Sequence, residues 1–309
     1  MQTADSVPVA VARTAGASPW LRRWALASLV ANIGIVVTGG AVRLTASGLG
    51  CPTWPRCNES SYHPTGELGI HGAIEFGNRL LTFVLVAVAI GTLVAAFTSR
   101  PRRPGVLRLA VLLFCGIPLQ AVIGGFTVLT QLNPWVVMLH FLASMLMVAL
   151  ATILLRRTGD PEPGPGRVHP LLRRLTIGIL GVAVAVVYLG TVTTGSGPHA
   201  GDLDAVRTGL DPQLIAQLHA DLVFLLVGLT IACIVALFAT GAPARVRRAA
   251  VVLLAVELSQ GLIGYTQYFL KLPALLVAMH MLGASLIVFA TVDLVLAARE
   301  RTADEAVAA

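Results

Sequence analysis

The chain has 309 residues, of which 56% are apolar and only 12% charged, with a mean hydropathy of +0.82. Soluble domains carry about a quarter charged residues, so the composition argues against a water-soluble globule and for a chain that faces lipid. The net charge of +7 invites nucleic acid as a partner, but its distribution, given below, assigns it to topology. Four cysteines are too few for a disulfide-built fold and lack the Cys-x-x-Cys spacing of a zinc site.

At about 20 residues per crossing the length has room for eight spans. Eight apolar runs are found in chain order: Trp24 to Leu44, Ile74 to Phe97, Val106 to Leu129, Val136 to Leu155, Leu175 to Gly195, Leu214 to Ala239, Ala249 to Phe269 and Leu275 to Ala297. They are continuous, whereas barrel strands are short and alternate in polarity, so each is read as a membrane helix. The run after Arg22 and Arg23 is longer than a signal-peptide core and is read as an uncleaved first helix.

Most of the 22 Lys and Arg residues fall in five clusters. Arg13, Arg22 and Arg23 precede the first run; Arg100, Arg102, Arg103 and Arg108 join the second to the third. Arg156, Arg157, Arg167, Arg173 and Arg174 join the fourth to the fifth, Arg245, Arg247 and Arg248 the sixth to the seventh, and Arg299 and Arg301 follow the eighth. The positive-inside rule then places both termini in the cytoplasm of a multi-pass plasma-membrane protein and removes nucleic acid as a partner.

The chain repeats itself. Gln120-Ala-Val-Ile-Gly124 leads to His140, and Gln260-Gly-Leu-Ile-Gly264 leads to His280, 140 residues later in both cases. The same offset, with one residue of loop difference, carries His219 in the sixth run back to Asn78 in the second. The expected fold class is all-α, two tandem pseudo-symmetric four-helix bundles in the same orientation, residues 1–160 and 161–309.

His140, His219 and His280 all lie a few residues into even-numbered helices, on the outer side. A lone intramembrane histidine is often only packed, but repetition at one depth points to a shared task. Two imidazoles on facing helices suit the axial positions of a haem, and zinc would need ligands that Asp221 alone does not supply. This favours haem b between His219 and His280. Gly124, Gly125, Gly261 and Gly264 would let a ring approach backbone, although small residues also serve helix packing. The second run differs from its counterpart: Glu75, Asn78 and Arg79 share one helical face by the i, i+3, i+4 rule, where the sixth run has Ala216 and Ala220 beside His219. One reading is a buried Glu75–Arg79 pair; the other is a reactive site with a proton-handling carboxylate.

Cys51 and Cys57 lie on the outer loop after the first helix, in a compartment where a disulfide persists, though spacing alone does not establish a bond. Cys115 and Cys233 fall within spans and read as small apolar fillers. His63 and His71 read as interfacial, His169 as cytoplasmic, and His199 as a residue within reach of a porphyrin propionate.

Taken together, Gly39-Gly40-Ala-Val-Arg43-Leu-Thr-Ala-Ser-Gly48-Leu-Gly-Cys51-Pro-Thr-Trp54-Pro, Glu75 to Arg79, Gln120 to His140, Gly195-Ser-Gly197 and Gln260 to His280 resemble the haem A synthases over nearly the whole chain. The resemblance implies an enzyme that oxidises the C8 methyl of haem O to the formyl of haem A for terminal oxidases. It implies haem O in the N-terminal unit near His140, with Glu75, Asn78 and Arg79 as the catalytic group, and haem b in the C-terminal unit on His219 and His280. The outer cysteine pair is frequent in the family, and Cys51 and Cys57 are expected to be joined. The family's usual Glu-x-x-His-Arg reads Glu75-Phe76-Gly77-Asn78-Arg79 here, which leaves His140 as the one strong protein ligand to the substrate haem. Membrane lipid, the enzyme that supplies haem O and an electron donor or acceptor are the implied partners, with a homo-oligomer left open. A di-haem b-type electron-transfer cytochrome is the alternative, but it would want paired histidines in both halves. A transporter would want broken helices and a polar midplane path.

Overall fold

A computed structural model describes residues 18–159 and 168–299; Arg13, Arg167, Arg301 and both termini lie outside them. The described residues form eight long helices: α1 (Pro19–Leu44), α2 (Gly69–Thr98), α3 (Pro104–Leu129), α4 (Pro134–Arg157), α5 (Pro170–Ser196), α6 (Pro212–Ala239), α7 (Ala244–Phe269) and α8 (Ala274–Ala298). All eight are long and apolar enough to cross a membrane. The chain is a multi-pass membrane protein.

The helices end at the ends of the apolar runs or up to two residues beyond them, and begin one to five residues earlier. The physical reason is capping. Five of them, α1, α3, α4, α5 and α6, open on proline, which is favoured at the first helical position because its missing N–H is an orphan there anyway. Asn133 and Asp211 then cap α4 and α6, accepting from the N–H of Trp135 at 3.0 Å and of Gln213 at 2.8 Å. The helices thus extend through the polar flanks and carry Arg22, Arg23, Arg173, Arg174 and the Arg245–Arg248 cluster inside them. Pro118 lies within α3, which continues past it.

In the first half α1, α2, α3 and α4 pack in a ring, each against the next and α4 back against α1; α5 to α8 form the second ring in the same way. Each ring has its own core. Leu21, Ala25, Leu113, Val148 and Leu154 belong to the first, and Ile179, Leu226, Leu237, Leu253 and Leu294 to the second. The even-numbered helices are therefore diagonal partners, α2 facing α4 and α6 facing α8. The rings meet where α8 packs against α1 and α4, and α4 against α5. On the side of the basic clusters that junction is fastened by Asp293 of α8, which pairs with Arg156 of α4 at 2.6 Å and Arg245 of α7 at 3.0 Å.

On the opposite side the loops are tied to one another. Arg43, in the last turn of α1, donates from Nε to the His199 carbonyl and from Nη2 to the Thr194 carbonyl at 2.8 Å. The Gly48 N–H donates to the Gly201 carbonyl at 2.8 Å, and a ring nitrogen of His199 bonds the Leu272 carbonyl at 2.9 Å. These bonds join the ends of α1, α5 and α7 across the two halves.

Candidate haem sites

In its first three turns each even helix carries a polar side chain, His or Asn, that meets a glycine of the preceding odd helix. A Cβ on Gly124 of α3 would stand 3.3 Å from Cε1 of His140 on α4; on Gly190 of α5 it would stand 3.2 Å from Cε1 of His219 on α6. On Gly264 of α7 the distance to Cε1 of His280 on α8 is 3.4 Å. The fourth member is Gly39 of α1, whose Cβ would lie 4.0 Å from Nδ2 of Asn78 on α2. Four glycine cradles thus hold three imidazoles and one carboxamide at matching depth. Of the glycines singled out from the sequence, Gly124 and Gly264 have this role. Gly125 instead packs against the indole of Trp54, and Gly261 meets nothing within 4 Å.

Nδ1 of His140, His219 and His280 and Oδ1 of Asn78 are buried without a hydrogen-bond partner. An unpartnered buried polar atom is costly unless a ligand or its environment satisfies it. Among the described residues no group of three or more His, Cys, Asp and Glu could hold a bare metal ion. The donors fit a haem, which needs one or two imidazoles from opposite sides rather than a cluster. Asp221 is turned to Gln217, whose Nε2 donates to it at 2.8 Å.

The first half adds an anchored loop. Glu75 is 6% exposed and uses both carboxylate oxygens: Oε2 accepts from the Cys51 N–H at 2.6 Å, and Oε1 from Arg79 Nη2 at 2.5 Å and Nε at 3.1 Å. Arg79 continues outward, Nη2 reaching the carbonyls of Cys51 and Thr53 at 3.1 Å each and Nη1 that of Arg56 at 3.2 Å. Cys51 and Cys57 are joined by a disulfide. The pair on α2 therefore binds the disulfide loop backbone by charge-assisted bonds, and the loop in turn lays Trp54 on α3, one residue from the cradle of His140. Glu75 and Arg79 form the ion pair of the first reading left open by the sequence, one on each side of Asn78 along α2.

Gln120 donates from Nε2 to Ser144 Oγ at 3.2 Å, and Ser144 donates to the His140 carbonyl at 2.9 Å. In the second half a Cβ on Gly283 would collide with the Gln260 amide, so the repeated glutamines brace α4 and α8 just below their histidines. His71 bonds Ser47 Oγ at 2.9 Å, His63 packs edge-on against Phe76, and His169 caps α5. His199, bonded through Nε2 to the Leu272 carbonyl, ties two of the outer loops together. Cys233 is a buried filler; Cys115 is exposed on α3 instead, on a face that a membrane-spanning helix turns to lipid.

Sequence reasoning missed Glu257 of α7, which is 2% exposed and accepts from Thr230 Oγ1 of α6 at 2.8 Å, its Oε2 without a partner. An acid in the middle of an apolar helix was the available signal; the 140-residue offset gives Ile117, so the repeat did not point to it. Gly190 was missed because the longer loop before α6 breaks its spacing to His219.

A family of cytochrome oxidase assembly proteins, COX15-CtaA, matches residues 22–201, more than half of the chain, from α1 through α5 and the loop that follows. Among curated relatives, a "Heme A synthase" of Exiguobacterium sibiricum is 31% identical over 161 residues, covering 50% of this chain and 53% of that one. The "Heme A synthase" of Symbiobacterium thermophilum is 28% identical over 179 residues, 55% of this chain and 58% of its own. That of Geobacillus thermodenitrificans is 32% identical over 138 residues, 43% and 42%. The matches span about half the length of these relatives. With the family match running through the first ring, the anchored loop and the Gly124–His140 cradle, the chain belongs to the COX15-CtaA family of cytochrome oxidase assembly proteins.

Proposed function

We propose that the protein is a haem A synthase, an oxidoreductase that converts the C8 methyl of haem O to the formyl group of haem A in terminal-oxidase biogenesis. The name carried by the relatives supports the activity, and one observation carries the reading for this chain: four equivalent cradles in which three hold histidine and the fourth holds Asn78 beside the Glu75–Arg79 pair. Residues 161–309 form the cofactor unit, with His219 and His280, on diagonal helices, holding haem b. Residues 1–160 form the substrate unit, with His140 holding haem O. Haem b, if held there, would supply a one-electron carrier.

The chain's own groups have separable tasks. The imidazole of His140 fixes the substrate macrocycle against Gly124. The Asn78 amide, a poor metal ligand but a good donor and acceptor, leaves that face open and orients a small polar reactant such as water. Glu75 takes or gives a proton, and Arg79 holds its charge. The disulfide loop and Trp54 cover the outer end of the first ring and limit water there. A di-haem electron carrier would place histidine at position 78. The basic clusters put both termini in the cytoplasm, and haem O from its supplying enzyme and an electron donor or acceptor complete the partners. Pigment extraction from cells with and without the protein tests the activity: haem O accumulates and haem A disappears in its absence. Unchanged haem A would overturn the proposal.

A further inference from the structure

On the side of the basic clusters, a groove of about 440 Å³ opens between the end of α6 and the start of α7, lined by Phe238, Ala244, Arg247, Arg248, Val251 and Val252. Its walls are apolar and outward-facing: Phe238, Val251 and Val252 are 52%, 46% and 49% exposed on helices long and apolar enough to cross a membrane. The open side therefore meets lipid. Its charge is one-signed. Arg245, in the same cluster, is taken by Asp293, while among the described residues no carboxylate lies within 4.0 Å of Arg247 or Arg248.

The positive-inside rule explains why arginines occur here but not how Arg247 is held. Its guanidinium carbon lies 4.9 Å from the centre of the Phe238 ring and its Nε is buried without a partner, so it lies along the rim of the groove instead of extending into water. The device recurs in the other half: Arg102 lies 5.0 Å over Phe97, and Phe97 and Phe238 close α2 and α6 at matching positions.

We propose that this groove is a binding site for an anionic phospholipid, whose phosphodiester sits between Arg247 and Arg248 and whose acyl chain runs along Val251 and Val252 against Phe238. Two arginines with no carboxylate partner among the described residues match the headgroup, and guanidinium is suited to bidentate phosphate contacts. The lipid bridges the inner ends of α6 and α7, one of which carries His219 and the other the Gly264 cradle of His280. The site does not depend on the haem assignment.

The test is native mass spectrometry of the full-length protein from nanodiscs of phosphatidylcholine with and without phosphatidylglycerol. One phosphatidylglycerol should stay bound per chain in preference to phosphatidylcholine. Arg247→Gln and Arg248→Gln should each weaken retention about fivefold. Val252→Trp, which leaves both charges in place, should weaken it by filling the acyl wall. Arg247→Lys preserves the inside charge, so insertion is unaffected, and should still lose retention because the planar fork is gone. Millimolar inorganic phosphate should not displace the lipid. Equal retention of the two lipids, unchanged retention in Arg247→Lys together with Val252→Trp, or displacement by phosphate alone would each overturn the proposal.

Discussion

Asn78 faces Gly39 across the α1–α2 contact as His140 faces Gly124, but with a gap of 4.0 Å where the histidines leave 3.2–3.4 Å. The position holds a carboxamide where its three counterparts hold an imidazole, and a Cβ on its glycine would stand farther from the side chain. Asn78→His should therefore fit without moving α1 and give a substrate haem with two imidazole ligands, seen in electron paramagnetic resonance as a new low-spin species. Formyl formation should fall at least tenfold. Unchanged turnover with two ligands would make an open face unnecessary.

The same distances separate the glycines. A methyl at Gly124 or Gly190 would stand 3.3 or 3.2 Å from an imidazole carbon, tighter than ordinary contact, so the ring must give slightly, whereas at Gly264 (3.4 Å) and Gly39 (4.0 Å) it makes ordinary contact. Alanine at Gly190 is expected to lower haem b content, alanine at Gly124 to lower bound haem O, and Gly264→Ala and Gly39→Ala to be nearly silent. Pigment content per purified protein measures all four.

Much of this was legible beforehand, because the long continuous apolar runs mark the helices and the Gln-to-His repeat shows which of them correspond. Helix starts were less legible, since prolines such as Pro104 and Pro170 extend α3 and α5 into polar flanks that hydropathy assigns to loops. The role of Glu75 was only half legible. Its spacing to Arg79 shows a shared helical face, but its bond to the Cys51 N–H depends on a loop whose path no periodicity encodes. The Gly190 cradle and the Glu257–Thr230 pair stayed hidden because they are contacts between helices at positions the repeat does not mark.

Removing the disulfide with Cys51→Ser and Cys57→Ser should loosen the loop by about 2 kcal/mol, the chain-entropy value for so short a closure. Helix insertion should be unaffected, because each helix satisfies its own backbone. Turnover should drop while membrane protein levels, read by immunoblot, stay within about twofold. Equal loss of protein and activity would show that the loop serves folding instead.

Glu75→Gln keeps an oxygen for the Cys51 N–H but removes the charge that Arg79 neutralises. It should abolish formyl formation while leaving substrate haem bound, measured as haem O retained in the purified protein. Loss of haem O in this variant would assign Glu75 to the structure of the site alone.

Glu257→Gln preserves a side-chain oxygen for Thr230 and should leave the thermal midpoint in detergent within a few degrees. Glu257→Ala strips Thr230 of its partner and opens a cavity between α6 and α7, destabilising by about 2–4 kcal/mol. Equal midpoints for the two variants would show that the Thr230 bond and the packing of the side chain contribute little.

The division of labour between the two rings is tested most directly by mass identification of the haems in purified wild type, His140→Ala, His219→Ala and His280→Ala, each confirmed to elute like wild type. His219→Ala and His280→Ala should lose haem b and retain haem O or haem A; His140→Ala should lose haem O and haem A and retain haem b. The same pigment lost from all three variants, or none lost from any, would contradict the account.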